Sequence, residues 1–231
     1  MPRTARIAPD ENVYHILTRG NNRQDVFKDE KDYKSYIEIL QRYKEKYKFK
    51  LYHYVLMRNH VHLIIETTQK SGKLSDIMKG INLSYAQYYK NRYRHIGHFW
   101  QDRYKSIIIS RDDYLLACAS YVELNPVRAK AVEDPKDYKW SSYKAYAYGK
   151  KDFIVDEQII YKELSKSETE RRKKYREFVK GMLREKDAMK GEMDRRVVYG
   201  SEDFIEGITK EFKIGAVIKP KGRPRKDEEN E

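Results

Sequence analysis

The sequence predicts an α+β protein in which helices cover a mainly antiparallel sheet. Runs rich in β-branched and aromatic residues, such as residues 49–57 and 60–66, are typical of strands. Only residues 58–59 separate these two runs, which favours an antiparallel hairpin. Apolar side chains recur at helical spacing over residues 33–47 and 74–88. Because a helix with one apolar face has to bury it, we expect both helices to pack on the sheet.

The remaining elements before residue 110 follow from local signals. Residues 13–18 are a predicted strand, and the Gly-Asn-Asn sequence at residues 20–22 is a predicted turn. Asp29 is a suitable N-cap for the first helix, because its carboxylate can accept hydrogen bonds from free backbone amides. The second helix is predicted to end before Gly97, and residues 105–109 form a further short strand.

A third helix is predicted after this strand. Ser110 and Asp113 have the spacing of a capping box, and the apolar pattern continues to Leu124. Pro126 interrupts the pattern. Since the residue before a proline avoids helical geometry, Asn125 is expected at the helix end or in a kink, with Pro126 free to start another turn.

The composition restricts the class of function. Lys and Arg number 49 against 36 acidic residues, a formal net charge of +13 that suits a polyanionic partner such as nucleic acid. Cys118 is the only cysteine, which excludes an internal disulfide and a cysteine-based zinc cage. No apolar run reaches the ~20 residues needed to span a bilayer, and the first residues lack the apolar core of a signal peptide. We therefore expect no membrane association and a cytoplasmic, nucleoid-associated protein.

Aromatic and cationic residues alternate between residues 85 and 105. Such a stretch is typical of single-stranded nucleic-acid binding, where cations contact phosphates and flat rings stack on unpaired bases. Tyr85 and Tyr88 continue the helical stripe and are predicted to be core residues instead. The residues predicted to contact DNA here are Tyr93, Arg94, Trp100, Arg103 and Lys105.

Two histidines stand two residues apart in the strand over residues 60–66. Strand side chains alternate between faces, so His60 and His62 point the same way while Val61 points away. Two neutral imidazoles on one strand can bind a divalent ion together, although such a pair can also be merely half-exposed. His15 and His53 lie within other strands and are predicted to be structural or substrate-facing.

Tyr121 and Asn125 could complete an active site together with the two histidines. They lie four residues apart and so share a helical face, from which both could address a metal held by the histidines. A phenol has a pKa of ~10 and is a weak nucleophile at neutral pH, so it needs a phosphodiester that a metal has polarised. Attack by the phenol oxygen would give a phosphotyrosine without ATP. Periodicity alone does not select Tyr121 among the 21 tyrosines.

Five short stretches resemble the REP-associated tyrosine transposases. These proteins are relatives of the single-tyrosine HUH transposases, where HUH denotes histidine, hydrophobe, histidine. The stretches occur in family order over about residues 1 to 150. They are YH with RGNNR at 14–15 and 19–23, MRNHVH at 57–62, GHFWQDRY at 97–104, YVELNPVRA at 121–129 and WSSY at 140–143.

The resemblance implies a ferredoxin-like sheet and a specific reaction. It makes His60 and His62 metal ligands, Tyr121 the nucleophile and Asn125 the third ligand, at a position where related enzymes carry glutamine. It implies magnesium or manganese as cofactor, a choice that stays open because amide oxygen suits the first ion and imidazole the second. The implied substrate is single-stranded DNA beside small palindromic hairpins, cut through a 5′-phosphotyrosine link. The implied hairpin contacts, for which a solvated turn is an alternative, are Arg19, Asn21, Asn22 and Arg23.

Three segments and three functional classes are predicted. Residues 1–150 form the catalytic domain, and residues 151–215 form a helical extension for DNA binding or dimerisation, the latter implying a possible homodimer. Residues 216–231 resemble an AT-hook, although a disordered solubilising tail is an equal alternative. The leading function is a metal-dependent strand transferase acting through Tyr121. The alternatives are a domesticated, non-catalytic hairpin-binding protein and a metal hydrolase that uses activated water.

Overall fold

The computed structural model describes residues 8–184, 196–214 and 217, and its centre is a five-stranded sheet. The strands are β1 (Val13–Arg19), β2 (Lys50–Met57), β3 (His60–Glu66), β4 (Lys105–Ile109) and β5 (Val198–Tyr199). Their order is β2-β3-β1-β4-β5; β5 runs parallel to β4 and every other pair is antiparallel. The first four strands have the order of a ferredoxin-like βαββαβ unit, which confirms the predicted fold class.

Helices cover both faces of the sheet. Because strand side chains alternate, Leu63 and Ile65 of β3 pack into the core beneath the first two helices, while Ile64 packs against the third. The helices of the described residues are α1 (Glu30–Tyr47), α2 (Leu74–Tyr93), α3 (Asp113–Glu123), α4 (Asn125–Arg128), α5 (Tyr143–Tyr148), α6 (Ile159–Glu163), α7 (Glu168–Arg184) and α8 (Glu202–Glu211).

Most of the predicted boundary signals are present. The Asp29 side chain accepts hydrogen bonds from two backbone amides at the start of α1, and Pro126 lies in the first turn of α4. The capping box predicted from Ser110 and Asp113 is wrong. Asp112 is the N-cap of α3, because its carboxylate lies next to the first turn and accepts from the Tyr114 amide at 3.0 Å.

The extension packs on the rest of the chain through a core of its own. Tyr161 of α6 and Tyr175 of α7 are buried against α3 and α5. Tyr175 is completely buried, so α7 packs closely on the rest of the chain. Ser201 caps α8 as predicted. The helical extension predicted over residues 151–215 falls partly outside the described residues, as does the AT-hook-like tail except for residue 217.

The free edge of β2 is covered by the segment after α4. The backbone amide of Leu56 donates to the Trp140 carbonyl at 2.9 Å, and the Asp156 amide donates to the Leu51 carbonyl at 2.7 Å. This segment therefore lies along the strand that neighbours the histidine strand β3. Within the described ranges, no helix has the length and apolar character that a membrane crossing requires.

Candidate active site

Two histidines of β3 face helix α3, as the strand alternation predicts. His62 is 3% exposed and His60 is half-buried. Their ring centroids lie 5.0 Å apart with the rings nearly perpendicular. Val61 points to the opposite face and joins the core beneath α1 and α2. The short β2–β3 turn fixes this arrangement, because Met57 pairs directly with His60.

The Tyr121 ring lies beside these imidazoles. Helix α3 carries Tyr121 to a point where its ring centroid is 6.1 Å from that of His62, edge to face. The guanidinium of Arg128 lies 5.1 Å from the ring centre, and it also donates to the Tyr121 carbonyl at 3.0 Å. Tyr121 is only 4% exposed. The predicted nucleophile and the predicted ligand His62 are therefore neighbours.

Asn125 is held at the junction between α3 and α4. Its Nδ2 donates to the carbonyl oxygens of Tyr121 at 2.8 Å and of Val122 at 3.2 Å. These bonds use only the donor end of the amide, and Oδ1 is an acceptor that can serve as a hard ligand. The sequence predicts that Tyr121 and Asn125, four residues apart, share one helical face. This arrangement is kept across the helix break at Leu124.

His15 is a third imidazole at the site. Its Nε2 lies 2.7 Å from Nδ1 of His62, and the two rings stack with an interplanar angle of 9°. Its ring centroid is 5.9 Å from that of Tyr121. Nδ1 of His15 is buried and has no hydrogen-bond partner within the described ranges. The sequence does not predict the role of His15. Strand alternation places His15 on one face of β1, but it does not show that β1 lies next to β3.

Burial favours neutral imidazoles at His15 and His62. Burial lowers the pKa of His15 to about 4, and burial lowers the pKa of His62 well below its usual value, with further contributions from His15, His60 and Arg19. The Oδ1 of Asn59 lies 2.6 Å from Nδ1 of His60. Since an amide oxygen only accepts, it places the proton of His60 on Nδ1 and leaves Nε2 with the lone pair. Neutral imidazole is the form that binds metals.

The available donors fit a labile divalent ion better than a structural zinc. Within residues 8–184, 196–214 and 217, no group of three or more His, Cys, Asp or Glu side chains is placed to hold a metal. The predicted set is two imidazole nitrogens and the amide oxygen of Asn125, which would leave positions for water and phosphate oxygen. These residues therefore fit magnesium or manganese in their donor chemistry.

The turn predicted to contact hairpins lies beside this site. Arg19, the last residue of β1, pairs across the sheet with His60. Residues 21–23 form a 3-10 turn, and the Gly20 amide donates to the Asn59 carbonyl at 2.9 Å. Three predicted contact residues are exposed on this turn: Asn21, Asn22 and Arg23. The chain order thus brings the turn and the histidine pair together at the same end of the sheet.

The second group of predicted DNA contacts is divided between surface and interior. Arg94, Arg103 and Lys105 are exposed, whereas Trp100 is half-buried and its Nε1 donates to the Asn82 carbonyl at 2.9 Å. Three other rings of this stretch are only 3–6% exposed: Tyr89, Phe99 and Tyr104. They join the core that α1 and α2 cover, Tyr89 from the inward face of α2 and the other two from the segment between α2 and β4.

Tyr93 participates in a contact between α1 and α2. Its hydroxyl donates to Asp32 at 2.8 Å, and the cationic groups of Lys28 and Arg92 lie 4.3 Å and 5.0 Å from its ring centre. The Arg92 guanidinium also donates to Asp29 and Asp32. A DNA contact through Tyr93 stays a prediction.

Two further polar residues behave as structural groups. Glu66 is only 8% exposed and pairs with Lys50 at 3.0 Å and Arg111 at 2.8 Å. His53 is completely buried, and its Nδ1 lies 2.8 Å from the equally buried Glu123 of α3. Neither carboxylate lies among the predicted metal ligands.

Comparisons with known proteins agree with this architecture. The sequence model of the family Transposase IS200 like matches residues 10–125, just over half of the 231 residues. A solved REP-associated tyrosine transposase bound to a REP hairpin superimposes with a TM-score of 0.55 at 16% identity, covering 68% of this chain and 92% of that one. A transposase candidate from Deinococcus radiodurans gives a TM-score of 0.37 at 18% identity, with 56% and 92% covered. No curated protein matches the chain.

The fold and the family match define a transposase-type α+β domain. The chain belongs to the IS200-like transposase family, whose members process DNA. Its fold is similar to that of the REP-associated tyrosine transposase, which confirms the resemblance inferred from the five sequence stretches.

Proposed function

We propose that the protein cuts single-stranded DNA beside small palindromic hairpins and transfers the strand through a 5′-phosphotyrosine at Tyr121. The observation that carries this proposal is the clustering of Tyr121, His62 and His15, whose ring centroids lie 5.0–6.1 Å apart at one end of the sheet. A tyrosine packed against buried neutral imidazoles, inside a family of DNA-processing enzymes, is suited to metal-assisted attack on phosphorus.

The reaction is an exchange of one phosphodiester for another. The Tyr121 oxygen forms a bond to phosphorus while the bond from phosphorus to the 3′ oxygen of the preceding sugar breaks. The phenol proton leaves to water, and the departing oxygen becomes a 3′-hydroxyl by taking up a proton. A 3′-hydroxyl of another strand then reverses the step, which rejoins DNA without an external energy source. The Arg128 guanidinium beside the ring stabilises negative charge on the phenol oxygen.

The residues around Tyr121 have distinct supporting roles. Magnesium or manganese held by His60, His62 and Asn125 would supply Lewis-acid stabilisation of the charge on the phosphate oxygens. The Asn59 side-chain oxygen accepts a hydrogen bond from Nδ1 of His60 and so orients that ring. The carbonyl oxygens of α3 accept from Nδ2 of Asn125 and hold its side chain in place. These contacts keep the donor atoms in place before substrate binds.

The substrate-binding surface would begin at the turn next to His60. Exposed Asn21, Asn22 and Arg23 can address the hairpin, while Arg19, Arg103 and Lys105 can contact backbone phosphates. The similar REP-associated transposase is bound to a REP hairpin, which supports a hairpin as the substrate class. Homodimer formation through the extension is a separate proposal, which sedimentation equilibrium of the full chain tests.

A non-catalytic hairpin-binding protein is the second candidate function. The observation in its favour is the 4% exposure of Tyr121, because a nucleophile has to reach phosphorus. Under this alternative, the turn at residues 20–23 would bind DNA and the imidazoles would serve only the fold.

A cleavage assay on labelled single-stranded hairpin DNA from the flanks of this gene separates the candidates. With manganese or magnesium, the wild type should form a covalent protein–DNA adduct, and Tyr121→Phe should form none. Tyr114→Phe, on the same helix, is the matched control and should retain the adduct. If Tyr121→Phe still cleaves the DNA, activated water and not Tyr121 attacks the phosphodiester. Tight binding without cleavage by the wild type would favour the non-catalytic protein.

A further inference from the structure

The segment of residues 139–153 presents aromatic rings to solvent beside cations. Phe153 is 78% exposed and Tyr148 is 46% exposed, in contrast to the buried rings between residues 85 and 105. Lys151 lies 4.7 Å from the ring centre of Phe153, and Arg176 lies 5.2 Å from that of Tyr148. Exposed rings next to cations are the elements from which single-strand binding surfaces are built.

A lysine-lined cavity lies beside this segment. It has a volume of about 180 Å³, and Trp140 forms part of its wall together with Lys139, Lys144, Lys150 and Lys151. The last two lysines also line a neighbouring cavity of about 250 Å³, to which α7 contributes Arg171 and Arg172. Lys150 and Lys151 thus join the two cavities, and Lys151 also lies over the Phe153 ring. We call the surface formed by this segment and the two cavities the 139–153 surface.

The charge of this surface is mainly positive. In the described part of the chain, Lys144, Lys150 and Lys151 form no ion pair with a carboxylate. Asp152, the acidic residue of the smaller cavity, accepts from the Tyr54 hydroxyl at 2.9 Å. Three further carboxylates belong to this region: Glu30 pairs with Lys139, Glu168 lines the larger cavity and pairs with Arg172, and Glu157 lines the same cavity. Three cations thus remain available to an anion.

The surface begins close to the candidate active site. The Trp140 carbonyl accepts from Leu56 of β2, and the next residue, Met57, pairs with His60 of β3. Two strand spacings correspond to about 10 Å, so the backbones of Trp140 and His60 lie close together at this edge of the sheet.

We propose that the 139–153 surface binds the unpaired DNA strand that flanks the hairpin. Lys144, Lys150 and Lys151 would contact its phosphates, and Phe153 and Tyr148 would stack on its bases. This inference rests on the proposed function, because it takes the same hairpin DNA as the substrate. The turn at residues 20–23 would bind the hairpin, and the 139–153 surface would bind its unpaired flank.

Equilibrium binding in the Tyr121→Phe background tests the proposal without requiring cleavage. Fluorescence anisotropy would compare a hairpin alone, the same hairpin with a 15-nucleotide thymidine flank, and the thymidine strand alone. The variant is Lys144→Gln/Lys150→Gln/Lys151→Gln. The control, Lys34→Gln/Lys79→Gln/Lys180→Gln, removes the same charge from exposed positions on α1, α2 and α7. Thermal melting verifies that both proteins are folded.

We expect the variant to lose about tenfold or more in affinity for the flanked hairpin and the thymidine strand, but less than about threefold for the hairpin alone. Its salt slope on the thymidine strand should be shallower by about 2, since each lost phosphate contact removes ~0.7. Phe153→Ala should lower the affinity for the thymidine strand by about tenfold. Equal behaviour of variant and control, an equal loss on all three DNAs, or tighter binding of the matching RNA strand would overturn the proposal. The thymidine strand keeps the test valid even if no hairpin is bound.

Discussion

Nε2 of His15 and Nδ1 of His62 lie 2.7 Å apart, in a hydrogen bond between two stacked, buried imidazoles. Burial lowers the pKa of both rings and so favours their neutral forms, in which one nitrogen of the pair donates and the other accepts. When His62 donates, its Nε2 carries the lone pair that a metal requires. His15 is therefore placed to select the ligating tautomer of His62.

Removal of His15 should weaken metal binding. We expect His15→Ala to lower the affinity for Mn²⁺ by about 10–100-fold, because the tautomer and the orientation of His62 are no longer fixed. The His15→Gln variant keeps an oxygen that can accept a hydrogen bond from His62, so its affinity for Mn²⁺ should fall less. Electron paramagnetic resonance titration of free Mn²⁺ measures both affinities, and thermal melting separates this effect from unfolding. Equal Mn²⁺ affinity in wild type and His15→Ala would show that His15 does not act through His62.

The low pKa of His15 predicts a pH dependence of stability in the metal-free protein. Its pKa is about 4 in the folded chain and about 6.5 when unfolded, so the unfolded state binds the extra proton between these values. Stability should therefore fall as the pH decreases from about 6.5 to 4, by up to ~3 kcal/mol from this group. Urea unfolding at several pH values gives the slope. The His15→Gln variant should show a shallower slope, and an unchanged slope would assign the effect to other groups.

The buried carboxylate of Glu123 connects α3 to the extension. It accepts from the Tyr175 hydroxyl at 2.6 Å and from Ser142 Oγ at 2.7 Å, besides its contact with His53. Tyr175→Phe should lower the free energy of unfolding by about 1.5–3 kcal/mol, because a buried charged acceptor loses a donor. The control Tyr148→Phe removes a hydroxyl from a 46% exposed ring and should change it by less than about 0.5 kcal/mol. Urea midpoints compare the two variants, and similar midpoints would argue against a structural role for this bond.

Gly20 is required by close packing rather than by its backbone angles. Its φ of -62° suits any residue, but a Cβ would lie 2.5 Å from the Gln24 carbonyl oxygen and 2.8 Å from Val26 Cγ1. Gly20→Ala should therefore cost about 1–3 kcal/mol of stability and weaken hairpin binding through the displaced turn.

Helical glycines with open surroundings provide the matched control for Gly20. A Cβ at Gly181 or Gly207 would meet no atom within 4 Å. Gly181→Ala should stabilise the protein by up to ~1 kcal/mol, because alanine is the better helix former. Differential scanning calorimetry distinguishes the opposite signs. A stable Gly20→Ala protein with normal hairpin binding would mean that the turn can move to admit a methyl group.

Much of the fold was predictable because its signals are local. Alternation along residues 60–66 places His60 and His62 on one face, and the short turn fixes the β2–β3 register. Spacing by four residues brings Asn125 to the Tyr121 carbonyl. Both relations depend on a few covalently linked residues, so no knowledge of the distant chain was needed.

The sequence by itself determined the elements, the paired histidines of one strand and the positive charge that suits DNA. Only the tertiary structure decided which rings are buried, that His15 meets His62, and that Tyr175 reaches Glu123 across 52 residues. It also decided that the highly exposed rings Tyr148 and Phe153 lie at residues 139–153, whereas Tyr89, Phe99 and Tyr104 are buried. The physical reason is that side-chain periodicity defines faces of single elements, whereas strand order and helix packing choose which faces meet.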